Sequence, residues 1–260
     1  MSGTLHFTSA MVRSGTDAVI TPDKHGYRPM LVGALNAHNT KGDFYVYDEA
    51  VKLFMPGSAL MDRIDAGSLT GEWGHPVYDP TRPVSEFIER LYRIDKDREC
   101  VYFKSLTIDK DHWKDNPAME KGAVAIFAEL KPFGPLKECL KDALEDPAQN
   151  VSFSIRSLSK VRETPSGDIN LLKMVRTFDA VEMGGIPSSS KFSSLRPTTE
   201  GMIDDLYDMH IPREIIRQAA EAVLSSSVTL ESDRNDMLEV AKIYELVTAT
   251  SDISNPVWDI

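Results

Sequence analysis

The stretch Asn150-Val151-Ser152-Phe153-Ser154-Ile155-Arg156-Ser157 alternates without a break, with apolar Val151, Phe153 and Ile155 set against polar Ser152, Ser154 and Arg156. Successive side chains of a β-strand point to opposite faces, so this period of two predicts a strand with one face in a core and the other polar. The polar face then carries two hydroxyls and a guanidinium in line on an accessible surface. A serine nucleophile beside an anion-stabilising cation would be presented that way, although any half-buried strand yields the same alternation.

Working outward, Leu136, Cys139, Leu140, Ala143 and Leu144 share one face of a helix predicted over Leu136–Leu144, which Pro135 introduces and Glu145-Asp146-Pro147 ends. The quoted strand extends to Leu158. Other strand-like runs are Leu5–Val12, Tyr27–Ala34, Phe44–Phe54, Cys100–Ile108, Ala123–Leu130 and Leu171–Val181, and helical spacing recurs in Ser58–Ile64 and Val84–Ile94. Beyond the Ser-rich loop Ser188–Ser194 and Pro197 the period lengthens from 2 to 3.6. Ile211, Ile215, Ala219 and Val223 form one stripe, and Met237, Val240, Tyr244 and Val247 form another. Such stripes pack on the main domain, on each other, or on a second molecule, so the C-terminal helices are a candidate surface for self-association. The pattern predicts an α+β fold: a largely antiparallel, twisted or partly closed sheet flanked by helices over residues 1–196, followed by a helical acidic region over 197–260.

Composition is that of a globular chain, with 42% hydrophobic and 27% charged residues in 260. The net charge of −11 is concentrated at the C-terminal end, where residues 197–260 hold 13 acidic and 4 basic side chains. An acidic chain without a Lys/Arg block is poorly suited to a polyphosphate, so direct nucleic-acid binding is disfavoured. Cys100 and Cys139 are far apart and belong to no zinc-ligand spacing, and no His or Asp cluster suggests a metal, so no cofactor is expected. The chain shows no signal peptide and no membrane-spanning apolar run, and reads as a soluble protein of a reducing compartment.

Two further segments carry chemistry. In Gly71-Glu72-Trp73-Gly74-His75-Pro76, a histidine is framed by a residue without steric demand and one with a locked φ, which suits an imidazole that must point one way, as a general base does. A turn histidine without a task has the same framing. In Thr177-Phe178-Asp179-Ala180-Val181, an aspartate sits inside an apolar strand. A buried carboxylate is costly without a partner, so Asp179 requires an imidazolium or an arginine, in a catalytic triad or in a plain salt bridge. Glu72, close to His75 in sequence, is the rival third member, but residues three apart in an extended segment face opposite ways.

Taken in this order, His then Ser then acid, the segments resemble the prohead maturation serine proteases of tailed bacteriophages, whose fold is similar to that of the herpesvirus capsid protease, assemblin. Gly71 to Pro76 is similar to the family's G-E-L-G-H-P, with Trp73 in place of Leu. Phe133-Gly134-Pro135, the following helix and Ser154-Ile155-Arg156 resemble its turn, helix and S-S-R unit. Phe178-Asp179-Ala180-Val181 followed by Ile186-Pro187-Ser188 resembles its acid strand and Pro-Ser loop. Ser152 stands where Gly is more familiar, Ile155 replaces the second Ser, and Ser157 replaces a Gly, so the match spans roughly Phe44 to Ser190 with departures at the nucleophile strand.

The resemblance implies a partly closed barrel and an endopeptidase with Ser154 as nucleophile, His75 as base and Asp179 as its orienter. Ser152 is the alternative serine, and Arg156 a candidate for stabilising the oxyanion. It further implies cleavage after glutamate in viral scaffold, capsid and internal head proteins, inside the assembling procapsid in the host cytoplasm. Glu200 and Glu231 would then be candidate self-processing sites. A non-catalytic structural protein of the procapsid core would keep the fold without the chemistry.

Overall fold

A computed structural model describes residues 19–192, except 78, 80, 83, 163 and 166, together with strand residues 209–210 and 256–259. The expected strand Leu5–Val12, the two C-terminal helical stripes, and Glu200 and Glu231 lie outside the described residues.

The first sheet contains β1 (Arg28–Leu35), β4 (Thr70–Glu72), β5 (Glu99–Asp109) and β6 (Val124–Pro132), in the order β1-β6-β5-β4 with every pair antiparallel. The second contains β2 (Ala37–His38), β3 (Phe44–Tyr45), β7 (Ser152–Arg162), β8 (Ile169–Val181), β9 (Met209–His210) and β10 (Pro256–Asp259), in the order β2-β3-β8-β7-β10-β9. Only β3 and β8 run parallel there. Among the described residues, four short α-helices, α1 (Tyr47–Ala50), α2 (Ala59–Asp65), α3 (Val84–Tyr92) and α4 (Lys137–Glu145), lie in the connections. The apolar faces of the sheets meet at Phe103, Phe153 and Phe178, all fully buried, with Phe103 placed 6.1 Å and 5.9 Å from the other two ring centres. Burying rings of this size stabilises the fold by about 2–3 kcal/mol each.

The period-of-two strands recur within a few residues of their expected limits, with one exception. Phe44–Phe54, read as one strand, pairs only at Phe44–Tyr45 and then turns helical. The cause is local. Asn36, held at φ 49°, accepts a hydrogen bond on its side-chain oxygen from the Tyr47 N–H at the head of α1, and the buried Ala50 and Phe54 fall four apart on a helical face.

The sheets do not close into a barrel as expected. They meet where β4 ends: β4 pairs with β5 in the first sheet, and the next residue, Trp73, forms a single parallel bridge to Ala180 of β8 in the second. Gly71 permits this approach, because a Cβ there would lie 2.1 Å from the Phe178 carbonyl oxygen. One bridge joins the edges, and no ladder among the described residues links β1 to the second sheet.

The start of β7 is tied down by Lys191. Its backbone N–H donates to the Val151 carbonyl at 2.8 Å, and its buried ammonium donates to the carbonyls of Ala143, Asp146 and Gln149, capping the end of α4. Burial pushes the Lys191 ammonium down to about 8.

The tight approach at Gly71 makes a stability prediction. Gly71→Ala should cost about 3 kcal/mol in urea unfolding, whereas Gly57→Ala, left-handed at φ 83° with open space around it, should cost about 1 kcal/mol. Equal losses would show that the β4–β8 contact is not the constraint.

Candidate active site

The antiparallel register sets Ser154 of β7 opposite Asp179 of β8, and directly opposed residues project from the same face of a sheet. Ser152 and Arg156 share that face by alternation. The face was expected to be accessible. Instead it is covered, with Ser152, Arg156 and Asp179 at 0% exposure and Ser154 at 8%. Over Arg156 and Asp179 the cover comes from the end of β4 and from α3, whose charges complement those of the strand.

Three backbone N–H groups fix the histidine segment, two of them bonding to β8 and one to the residue before β5. The Glu72 N–H donates to Asp179 Oδ1 at 3.0 Å, the Trp73 N–H to the Arg98 carbonyl at 3.0 Å, and the Gly74 N–H to the Ala180 carbonyl at 2.7 Å. Gly74, at φ 76°, supplies the left-handed turn that follows. His75 is thereby brought beside Asp179, with Nδ1 at 2.9 Å from Oδ2. Its Nε2 is buried and has no hydrogen-bond partner among the described residues. An imidazole held through Nδ1 with Nε2 open is arranged to accept a proton from a hydroxyl.

Asp179 is saturated. Besides His75 and the Glu72 N–H, its Oδ2 accepts from Arg156 Nε at 2.8 Å and lies 2.7 Å from Arg156 Nη2. Burial alone would push the carboxyl up, but the Arg156 guanidinium, His75 and the Glu72 N–H outweigh it and hold Asp179 below the usual carboxylate range.

Arg156 in turn reaches Glu72, with Nη1 at 3.2 Å and Nη2 at 3.1 Å from Oε1, and touches the Leu91 carbonyl at the end of α3 at 3.4 Å. Glu72, at 0% exposure, also accepts from both terminal nitrogens of Arg90 on α3 and, at 2.8 Å, from the Asp95 N–H. Thus Glu72, the rival partner for His75, faces Arg90 and Arg156, with Arg98 at 3.8 Å, and Asp179 takes the imidazole. The guanidinium of Arg156, considered for the oxyanion, is enclosed between two carboxylates.

The two serines differ in access. Ser152 is sealed beneath the loop that follows β8, where a Cβ on Gly184 would come within 3.0 Å of the Ser152 Cβ, and Ser190 bridges Ser152 on the outer side. Ser154 Oγ makes no hydrogen bond among the described residues, and the edge of β7 beside it is only partly paired by them. The carbonyls of Val151 and Phe153 point to that edge, accepting from the Lys191 N–H and from Ser189 Oγ. Alternation turns the N–H and C=O of Ile155 the same way. Farther along, β10 pairs with the same edge from Ser157 to Lys160. Between Ser190 and β10, no strand among the described residues covers Ile155.

Other chemistries find less support. Burial pushes the Cys100 thiol far up, so it stays protonated and unreactive. Among the described residues, no three His, Cys, Asp or Glu side chains converge on a metal position, and no helix is long and apolar enough to cross a membrane. A groove of about 710 Å³ lies along α3 and begins at Val77, two residues beyond His75. Its Arg82 faces Asp79 and Glu86, its Arg93 faces Glu89, and its Lys96 faces Glu99.

Sequence reasoning missed Arg90, which lies within the helix expected over Val84–Ile94. The available signal was Glu72 itself, a carboxylate between Gly71 and Trp73 that demanded a cation.

No solved structure matches the chain. The capsid maturation protease of Pseudomonas phage phiKZ is 32% identical over 193 residues, covering 72% of this chain and 68% of that protein. The profile of the peptidase S80 family matches residues 7–243. A match over most of the chain, on residues that include the whole His75, Ser154 and Asp179 constellation, establishes that the chain belongs to the peptidase S80 family.

Proposed function

We propose that this chain is a serine endopeptidase that cuts capsid-related proteins within the assembling phage capsid, using Ser154, His75 and Asp179. The observation that carries the reading is the Asp179 carboxylate, bonded to His75 Nδ1 while opposed in register to Ser154. The similarity to a phage capsid maturation protease supplies the biological setting.

In the proposed reaction, His75 Nε2 takes the Ser154 hydroxyl proton as Oγ attacks the scissile carbonyl carbon. The tetrahedral intermediate collapses as the imidazolium returns that proton to the leaving amine, and an acyl-Ser154 ester remains. Water, deprotonated by His75, then hydrolyses the ester and regenerates the hydroxyl. Asp179 holds the Nδ1–H tautomer and stabilises the imidazolium without itself being protonated, which its pairing with Arg156 favours.

An extended substrate would approach along the partly paired edge of β7 and pair with the backbone of Ile155, beside Ser154. Backbone N–H groups on that edge are better candidates for stabilising the oxyanion than Arg156, because only they face the space where substrate lies. Strand β10 occupies the continuation of this edge, so the C-terminal region and the substrate would be neighbours. The preference for glutamate at the cleaved bond, implied by resemblance, completes the proposal.

Incubation with a glutamate-containing peptide library, read by mass spectrometry, tests the reading. The wild type should cut after Glu. Ser154→Ala and His75→Ala should each lower kcat/KM by about 10⁴-fold or more, and Ser152→Ala should cut at close to the wild-type rate. Loss of activity in Ser152→Ala alone would move the nucleophile by one strand step. Absence of cutting by the wild type, even at high enzyme concentration, would favour a structural role.

Asp179 gives a separate prediction on stability. Its folded carboxyl is held below the unfolded value, so the stability carried by its charge is present above about pH 4 and is lost as pH falls through the folded value. The melting temperature of the wild type should therefore fall more steeply below pH 5 than that of Asp179→Asn. Parallel curves would mean that the carboxylate is not stabilised by its partners.

A further inference from the structure

The His75–Asp179 pair is one end of a longer chain of charges. Asp179 contacts Arg156, Arg156 contacts Glu72, and Glu72 contacts Arg90 of α3, so two carboxylates and two guanidinium groups alternate. Glu72 touches Asp179 in two ways, directly through its N–H and indirectly through Arg156. Arg90 is the outermost member, 29% exposed, and also accompanies the Arg93 carbonyl at 3.0 Å. Burying this many charges is tolerable only when they compensate one another, and the removal of one leaves an excess in a region of weak screening.

We infer that Arg90 and Glu72 are positioning residues for the catalytic pair, acting through Arg156 to set how readily His75 carries a proton. This rests on the protease reading of the site. Asp179, Arg156, Glu72 and Arg90 together carry no net charge. Without the charge of Glu72 the group becomes positive and the imidazolium is disfavoured. Without that of Arg90 it becomes negative and the imidazolium is favoured. The two losses act in opposite directions, whereas loosened packing alone would not. The other charged or titratable groups around the pair among the described residues are Arg98, with Nε 3.8 Å from Glu72 Oε2 and Nη2 donating to the Trp73 carbonyl at 2.7 Å, Asp95, 3.8 Å from Arg90, and the buried Cys100 thiol. They are the same in every variant compared.

The test follows the His75 ring by NMR through a pH titration of the full chain carrying Ser154→Ala, which prevents cleavage during the measurement. The His75 signal is assigned by its loss in His75→Gln. Glu72→Gln should lower the His75 midpoint by about one pH unit, Arg90→Gln should raise it by about half a unit, and the double variant should return toward the starting value. Arg90→Lys, which keeps the charge, should move the midpoint less than Arg90→Gln. Should Glu72→Gln fail to fold, the contrast between Arg90→Gln and Arg90→Lys carries the test.

Shifts in the same direction for both charge deletions, or no shift for Arg90→Gln, would overturn the inference. With Ser154 restored, the acid limb of kcat/KM for peptide cleavage should move with the midpoint while KM stays nearly constant. Opposed shifts in a protein that cuts no peptide would leave the electrostatic linkage standing and remove the protease reading. Cleavage with an immobile midpoint would do the reverse.

Discussion

A guanidinium without access to water lies between two carboxylates that also have none, and the rest of the site is arranged around that contact. Arg156 pairs with Asp179 and Glu72 together, Arg90 supplies the second positive charge, and the Arg156 contacts join β7, β8 and the end of β4 by bonds that cannot be exchanged for water. Breaking a buried pair of this kind by removing one partner costs about 3–5 kcal/mol. The charges therefore fix a geometry as well as a potential. Asp179 can face His75 in only one way while Arg156 and the Glu72 N–H hold its oxygens.

The two sheets supply the frame for this contact. A strand pair in antiparallel register places Ser154 opposite Asp179, and the neighbouring sheet delivers the histidine through a three-residue strand that abuts β8 at Gly71. Neither glycine of the segment is interchangeable with the other. Gly71 lets two backbones approach, and Gly74 lets the chain turn so that the imidazole returns to the aspartate. Lys191 and Ser189 pin the start of the same β7 edge, and beyond them Ile155 has no strand partner on that side among the described residues while β8 holds the other.

Much of this was legible in the sequence, and the illegible parts share a cause. Strict alternation at 150–157 reveals a strand and its two faces, and an aspartate among apolar neighbours at 179 reveals the need for a partner. Periodicity is a local property, however, and it cannot say what covers a polar face. The burial of Arg156 and Asp179 depends on residues 72–95, and Arg90 differs from an ordinary solvated arginine only in what it meets. The run 44–54 shows the same limit, because Ala50 and Phe54 suit a helix face while their neighbours suit a strand, and a side-chain bond from Asn36 decides between them. Barrel closure, taken from resemblance, failed because sheet edges are joined by ladders, and among the described residues a single β-bridge, at Trp73, links the two sheets.

The central claim is that His75 and Asp179 activate one serine, Ser154. Reaction of the full chain with a fluorophosphonate, followed by proteolytic digestion and tandem mass spectrometry, addresses it directly. The account predicts a single covalent adduct on Ser154 in the wild type, and none in His75→Ala. An adduct on Ser152, or labelling of Ser154 that persists undiminished without His75, would contradict it.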